Sequence, residues 1–313
     1  VAIRVIKAGM LTTIQDRGRW GFQSRGVPVA GPMDPVSHRL ANALVGNDRD
    51  AATLEITLLG PELEFESERV VAVAGAEFAL TIDDRPAAPS GAFVVAARTR
   101  LRFGSRRRGA RAYLAVSGGI AVAPVLGSRA THVISAMGGV NGRPVRAGDR
   151  LPLGDSKRGW RTVAPPDEPL VDLPDGRARI RVLPGPQQEW FAADALEVLQ
   201  SAPYRVGQNS DRMGFRLDGP RLAHARGVDI ISDATPLGAL QVPASGQPIV
   251  LMADRQTTGG YPKIATVATA DMAIAGQLGP GDTIAFEVCS PREAMAALIA
   301  QERWLLRLEA GAP

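Results

Sequence analysis

Short runs of branched and aromatic residues, broken by Gly, Pro, Asp and Asn, dominate the hydrophobic pattern. Strands are predicted at 3–6, 70–74, 78–82, 92–97, 111–116, 179–183, 249–252 and 283–288. No long amphipathic helices alternate with them, which argues against a doubly wound parallel sheet and for a mainly β fold of barrels or sandwiches. Three helices are expected. Asp34 and Pro35 open one whose apolar stripe runs Val36, Leu40, Ala41, Leu44, Val45 and stops at Gly46-Asn47. A second spans Gln187 to Leu199. A third follows the capping box Ser290-Pro291-x-Glu293 and continues to Leu305.

The segment Val163 to Arg177, with four prolines and four acidic residues, reads as a linker. It divides the chain into residues 1–165 and 178–313. The halves echo each other: Asp16-Arg17-Gly18 with Gly21-Phe22 resembles Asp211-Arg212-Met213-Gly214-Phe215, and Gly-Asp turns occur at 148–149 and 281–282. Either duplication or chance would produce this.

Composition narrows the function. At 313 residues, 45% hydrophobic and 22% charged, the chain is long enough for a real core and is not a disordered one. No apolar run suits a membrane helix, no secretory leader is visible, and Cys289 is the only cysteine. A cytoplasmic protein without disulfides or a cysteine-based zinc site is expected. The net charge of +4 comes with three lysines among 36 basic residues, a bias attributable to base composition. The dense run Arg98, Arg100, Arg102, Arg106, Arg107, Arg108, Arg111 reads as a solvated hairpin with a turn near Gly104-Ser105 and Gly109, without the aromatic platforms of a nucleic-acid surface.

Phosphate-loop, dinucleotide and nucleophile-elbow motifs are absent. His38, His132 and His224 have no metal-ligand spacing, and no lysine sits in a biotin-attachment context. Polar loops remain. Thr12 to Arg19 includes Gln15, Asp16 and Arg17; either Asp16 orients Arg17 toward a small polar ligand, or the stretch is an Asp-centred turn. Asp254 to Lys263 includes Arg255, Gln256, Thr257, Thr258, Gly259, Gly260 and Tyr261; it is either a ligand loop with two cations and close backbone approach, or a decorated Gly-Gly hairpin. Ser210-Asp211-Arg212 offers a further Asp-oriented arginine or a loop ion pair. Asp34 is a helix start that could also act on a ligand at the positive end of the helix dipole.

Together TTIQDRGRWGFQSRGVPVAGPMDPVSHRLAN, GNDRDAATLE, SDRMGFRLDGP and QPIVLMADRQTTGGYPKIATV resemble the family called allophanate hydrolase subunit 2, the biotin-dependent carboxyltransferase family that includes the C component of heteromeric bacterial 5-oxoprolinase. The match runs from about Val5 to Val288. The resemblance implies two cyclophilin-like β-barrel lobes with a few short helices. It also implies work with a subunit-1 type partner (the B component) and with an A component of the same complex, on a small amide substrate, with no nucleic acid or membrane partner.

The activity it implies is ATP-dependent opening of 5-oxoproline to glutamate, with Mg²⁺ expected alongside ATP. Lys263 and Arg255 would face anionic oxygens, with Asp16 and Asp211 as orienting carboxylates of the catalytic set. Gln15, Arg17, Asp34, Ser210, Arg212, Gln256, Thr257, Thr258, Gly259, Gly260 and Tyr261 would bind substrate. The alternatives are carboxyl transfer from carboxybiotin to urea or a related amide, with biotin carried elsewhere, and a non-catalytic antagonist of the subunit-1 partner.

Overall fold

The computed structural model describes residues 1–156 and 171–310. Most of the expected linker lies outside the described residues. The chain forms two compact units: Val1–Arg19 with Ala30–Leu173 and Arg303–Pro313, and Trp20–Val29 with Pro174–Glu302.

Unit 1 is built on β1 (Ala2–Lys7), β2 (Leu11–Gln15), β3 (Thr53–Thr57), β4 (Glu62–Phe65), β5 (Arg69–Ile82), β6 (Arg85–Ala87), β7 (Gly91–Val95), β8 (Arg100–Val116) and β9 (Arg150–Pro152), with helix α1 (Pro35–Leu44). These strands form one nine-stranded half-barrel sheet ordered β2-β3-β8-β4-β1-β9, with β5 joining β6 and β7 to β8. Alternate positions of each strand enter the core: Ile3 and Val5, Leu54 and Ile56, Val71 and Val73, Leu114 and Val116. Helix α1 lays Ala41, Leu44 and Val45 against Val70, Ala72, Ala74 and Tyr113.

The arginine run is not a hairpin. β8 is one long strand paired with β5, with register shifts opposite Gly75 to Leu80. Gly104 serves close packing, since a Cβ there would lie 3.0 Å from the Ala79 carbonyl oxygen, and Gly109 sits at φ +67°. Arg100 and Arg102 meet Glu62, Glu64 and Asp84, so carboxylates on β4 and beside β6 offset part of the charge.

Unit 2 is a closed barrel. Its strands are β10 (Arg177–Pro184), β11 (Tyr204–Val206), β12 (Gly214–Asp218), β14 (Ala239–Gln241), β15 (Ile249–Leu251), β17 (Lys263–Val267) and β18 (Thr283–Val288), in the order β10-β17-β14-β15-β12-β11-β18. A separate two-stranded ladder joins β13 (Asp233–Ala234) to β16 (Thr258–Gly259). Closure removes exposed sheet edges. The mainly β architecture expected from the strand pattern is what the chain adopts.

The helices are α2 (Ala195–Ser201), α3 (Met272–Gly276) and α4 (Pro291–Glu309). The capping box is present at α4: Glu293 accepts from the Ser290 N–H at 2.7 Å, and Ser290 Oγ accepts from the Glu293 N–H at 3.3 Å. The helix expected over Gln187 to Leu199 is broken. A single turn at Gln188–Trp190 gives way to an extended Phe191 bridged to His224, and Ala192 N–H donates to the Ala223 carbonyl, so tertiary bonding overrides the local periodicity.

Candidate functional site

In unit 1 the polar residues singled out from sequence are mostly engaged in the fold. Gln15, on β2 and fully buried, donates Nε2 to Thr13 Oγ1 at 3.0 Å and to the Thr131 carbonyl at 3.1 Å. Asp16 is engaged by backbone and hydroxyl donors. Its Oδ1 accepts from Gly18 N–H at 2.9 Å and from Ser128 Oγ at 2.5 Å, and its Oδ2 from Arg129 N–H at 2.5 Å. It therefore ties an Asp-centred turn to the 128–129 loop. Arg17 pairs with Asp50 at 3.0 Å on the surface.

Asp34 is fully buried, with Oδ1 accepting from the Val36 and Ser37 N–H groups at 3.0 and 2.9 Å and Oδ2 from Ser37 Oγ at 2.5 Å. That makes it the N-cap of α1. Beside it, Tyr113 OH donates to Glu55 Oε2 at 2.7 Å and accepts from Asp34 N–H at 2.8 Å; burial and the adjacent Glu55 carboxylate push the phenol's pKa well up.

In unit 2, Asp211 likewise caps a turn, accepting from Met213 N–H at 2.8 Å and Gly214 N–H at 3.3 Å. The carboxylate that holds Arg212 is Asp254, not Asp211. Ser210 Oγ accepts from Arg216 N–H at 3.1 Å and so closes the connection between β11 and β12.

The second cluster gathers at one end of the barrel. Ala265 and Val267 of β17 pair with the apolar core positions Leu240 and Val182, whereas Lys263, at the start of β17, lies opposite Gln241 across a β-bulge. Lys263 is nonetheless buried. Its Nζ meets Asp233 Oδ2 at 2.9 Å, and its N–H donates to Gln187 Oε1 at 3.2 Å.

Gln241, buried on β14, is reached by Gln256 Nε2 at 3.3 Å. Gln241 and Gln256 both crowd Gly259: a Cβ there would stand 2.6 Å from Gln241 Nε2, so the backbone approach needs glycine. Arg255 donates Nε to the Thr235 carbonyl at 2.8 Å, and no carboxylate among the described residues pairs with it. Burial lowers the pKa of its guanidinium. Thr235 Oγ1 donates to the Gln256 carbonyl, and Thr235 N–H to that of Thr257 at 3.2 Å, while Tyr261 is exposed.

The site in unit 2 therefore combines two cations, one half-exposed carboxylate and three carboxamides (Gln187, Gln241, Gln256), with the Thr257 and Thr258 hydroxyls on the same loop. Such a set suits a small ligand bearing an anionic group and an amide. Sequence reasoning missed Asp233, Gln187 and Gln241. Only Gln241, a polar residue inside the apolar run Ala239 to Val242, carried a local signal. A cleft of about 330 Å³ lined by Gln188, Glu189, Phe191, Leu196 and Ile264 includes none of the expected site residues.

A closed barrel, a half-barrel sheet and this polar cluster are the setting in which the comparisons fall. Residues 25–288 match the family model "Carboxyltransferase domain, subdomain A and B", and the chain belongs to that family. It is 40% identical to the C subunit of 5-oxoprolinase from Escherichia coli (strain K12), over 98% of this chain and 97% of that protein. It is 36% identical to the C subunit of 5-oxoprolinase from Haemophilus influenzae, over 93% of each. Among solved structures it is similar to the K. lactis urea amidolyase, with TM-score 0.91 and 35% identity over 98% of this chain, although it spans only 20% of that protein.

Proposed function

We propose that the chain is the C component of an ATP-dependent 5-oxoprolinase, active with its A and B components and opening 5-oxoproline to L-glutamate in the cytoplasm. The observation that carries this reading is the end-to-end correspondence with the E. coli protein, whose length this chain matches. The barrel end in unit 2 supports it chemically. A lactam carbonyl is a weak electrophile because of amide resonance. Transfer of the ATP γ-phosphoryl group to that oxygen would activate the carbon for attack by water; the C–N bond of the adduct then breaks, the nitrogen takes up a proton as the amine, and a second water hydrolyses the resulting acyl phosphate to the carboxylate and phosphate.

Arg255 and Lys263 offset the charge on the carboxylate and phosphoryl oxygens. Gln256, Gln241 and Gln187, with Thr257 and Thr258, provide donors and acceptors matched to the ring amide. Asp16, Asp34 and Asp211 act on the backbone that shapes their loops. Among the described residues no group of three or more His, Cys, Asp or Glu could hold a metal ion. This donor set does not fit a protein-held Mg²⁺, and no role for the ion is assigned to this chain.

The test is co-expression with the A and B components and an assay of glutamate formed from 5-oxoproline and ATP. ATP-dependent glutamate formation that disappears with Lys263→Ala, while the components still co-purify, is expected. Unchanged turnover in that variant removes Lys263 from the mechanism. Carboxyl transfer from carboxybiotin to urea is the second reading, favoured by the likeness to the K. lactis urea amidolyase. Urea-dependent carboxylation with no glutamate formation would select it.

A further inference from the structure

Lys263 is a buried cation whose counter-ion is not buried. Its side chain is 1% exposed, against 50% for Asp233. The two come from unlike settings. Lys263 is buried at the start of β17, whereas Asp233 is carried by a largely exposed strap running from Ala225 to Ala234, in which Ile231 is 95% exposed. The strap is held by the short β13–β16 ladder and by Ile230 N–H donating to the Gly260 carbonyl at 2.8 Å.

An ammonium has three donors, yet among the described residues Nζ makes a single hydrogen bond, to Asp233. Asp233 is lightly held in turn. Its Oδ1 accepts from the Ala234 N–H at 2.7 Å, and its Oδ2 accepts from Gln187 Nε2 at a long 3.4 Å. Two residues along the strap, the Thr235 carbonyl holds Arg255. The cluster therefore contains two cations and one carboxylate, an excess of one positive charge.

A buried ammonium without a counter-ion is strongly disfavoured. The fold supplies one, but from a largely exposed strap. We infer that Asp233 is a displaceable internal counter-ion, occupying on Lys263 the place that a ligand's carboxylate or phosphoryl oxyanion takes over on entering the site. Exchange of one oxyanion for another keeps Lys263 paired, and the released Asp233 is already half in water. This inference rests on the reading of the barrel end as the ligand site. It adds that affinity there is reduced by competition from within the chain.

The test uses the full chain, its Asp233→Asn and Lys263→Met variants, and two probes titrated separately by calorimetry: inorganic phosphate and 5-oxoproline. If Asp233 holds Lys263 about nine-tenths of the time, Asp233→Asn tightens binding of an anionic probe about tenfold, and Lys263→Met binds neither. A merely structural Asp233 would instead give a lower Tm and looser binding. Tighter phosphate binding without any 5-oxoproline binding keeps the inference and removes the 5-oxoproline reading. Unchanged, weaker or absent binding of both probes in a folded variant overturns the inference. Asp233→Ser takes the place of Asp233→Asn if asparagine disturbs folding.

Discussion

Arg212 and Asp254 form a buried, two-pronged ion pair: Nε to Oδ2 and Nη2 to Oδ1 are each 2.9 Å, and the side chains are 6% and 5% exposed. The Asp254 N–H also donates to the Arg212 carbonyl at 2.8 Å, so backbone and side chains join the start of β12 to the loop after β15. The pair thus fixes the loop that leads into Arg255.

Removing either partner breaks a buried ion pair. Asp254→Ala and Arg212→Ala are each expected to lose about 3–5 kcal/mol in urea unfolding. The double variant Arg212→Met with Asp254→Leu is expected to lose less than either single one. A double variant as unstable as the sum of the singles would show that the pair is not the unit that matters.

Gly259→Ala tests the carboxamide pair. The new methyl would stand 2.6 Å from Gln241 Nε2 and 3.3 Å from Gln256 Nε2, both at the ends of flexible side chains. The fold therefore survives, while the amides are pushed out of place. A loss of about 10- to 100-fold in kcat/KM for 5-oxoproline in the assembled enzyme is expected, the scale of a displacement near 1 Å, with little change in Tm. Wild-type kinetics would remove Gln241 and Gln256 from substrate positioning.

Asp34→Ala is expected to destabilise unit 1 without touching ligand binding. It removes the acceptor for the Val36 and Ser37 N–H groups and for Ser37 Oγ at a buried helix start. The loss, read from chemical denaturation, should be at least about 2 kcal/mol, the upper end for an N-cap. Asp34→Asn, which keeps an acceptor, should recover part of it.

What the sequence made legible was local chemistry. Asp34 capping α1, Ser290 and Glu293 capping α4, and the shared logic of Asp16 and Asp211 are contacts within three residues. The Gly-Asp echo also has a structural counterpart: Gly148 at φ +89° donates to the Val5 carbonyl, and Gly281 at φ +94° to that of Val206, each at 2.8 Å. The misreadings were non-local. Asp254 is 42 residues from Arg212, so adjacency in the chain pointed to Asp211 instead, and Asp233, 30 residues from Lys263, gave no local signal. Gly104 and Gly109 looked like a turn because nothing local to β8 reveals the long partner strand β5 that sets its register.

The last prediction concerns His38, on the inner face of α1. Its Nδ1 lies 3.0 Å from Thr53 Oγ1, and its ring stands edge-on to Tyr113 at 6.1 Å. Burial pushes its pKa down to about 4. The unfolded chain has the ordinary value near 6.5. Between these values the unfolded state takes up a proton that the native state refuses, so stability falls as pH is lowered. The contribution is fully present above pH 6.5 and is lost as pH falls through about 4, amounting to about 3 kcal/mol over the whole range. Between pH 7 and 5 the wild type should lose about 2 kcal/mol more than His38→Gln in urea unfolding. The neutral variant keeps only the slope of the remaining groups. Parallel stability curves for the two proteins would mean that His38 takes up its proton in the folded state as readily as in the unfolded one.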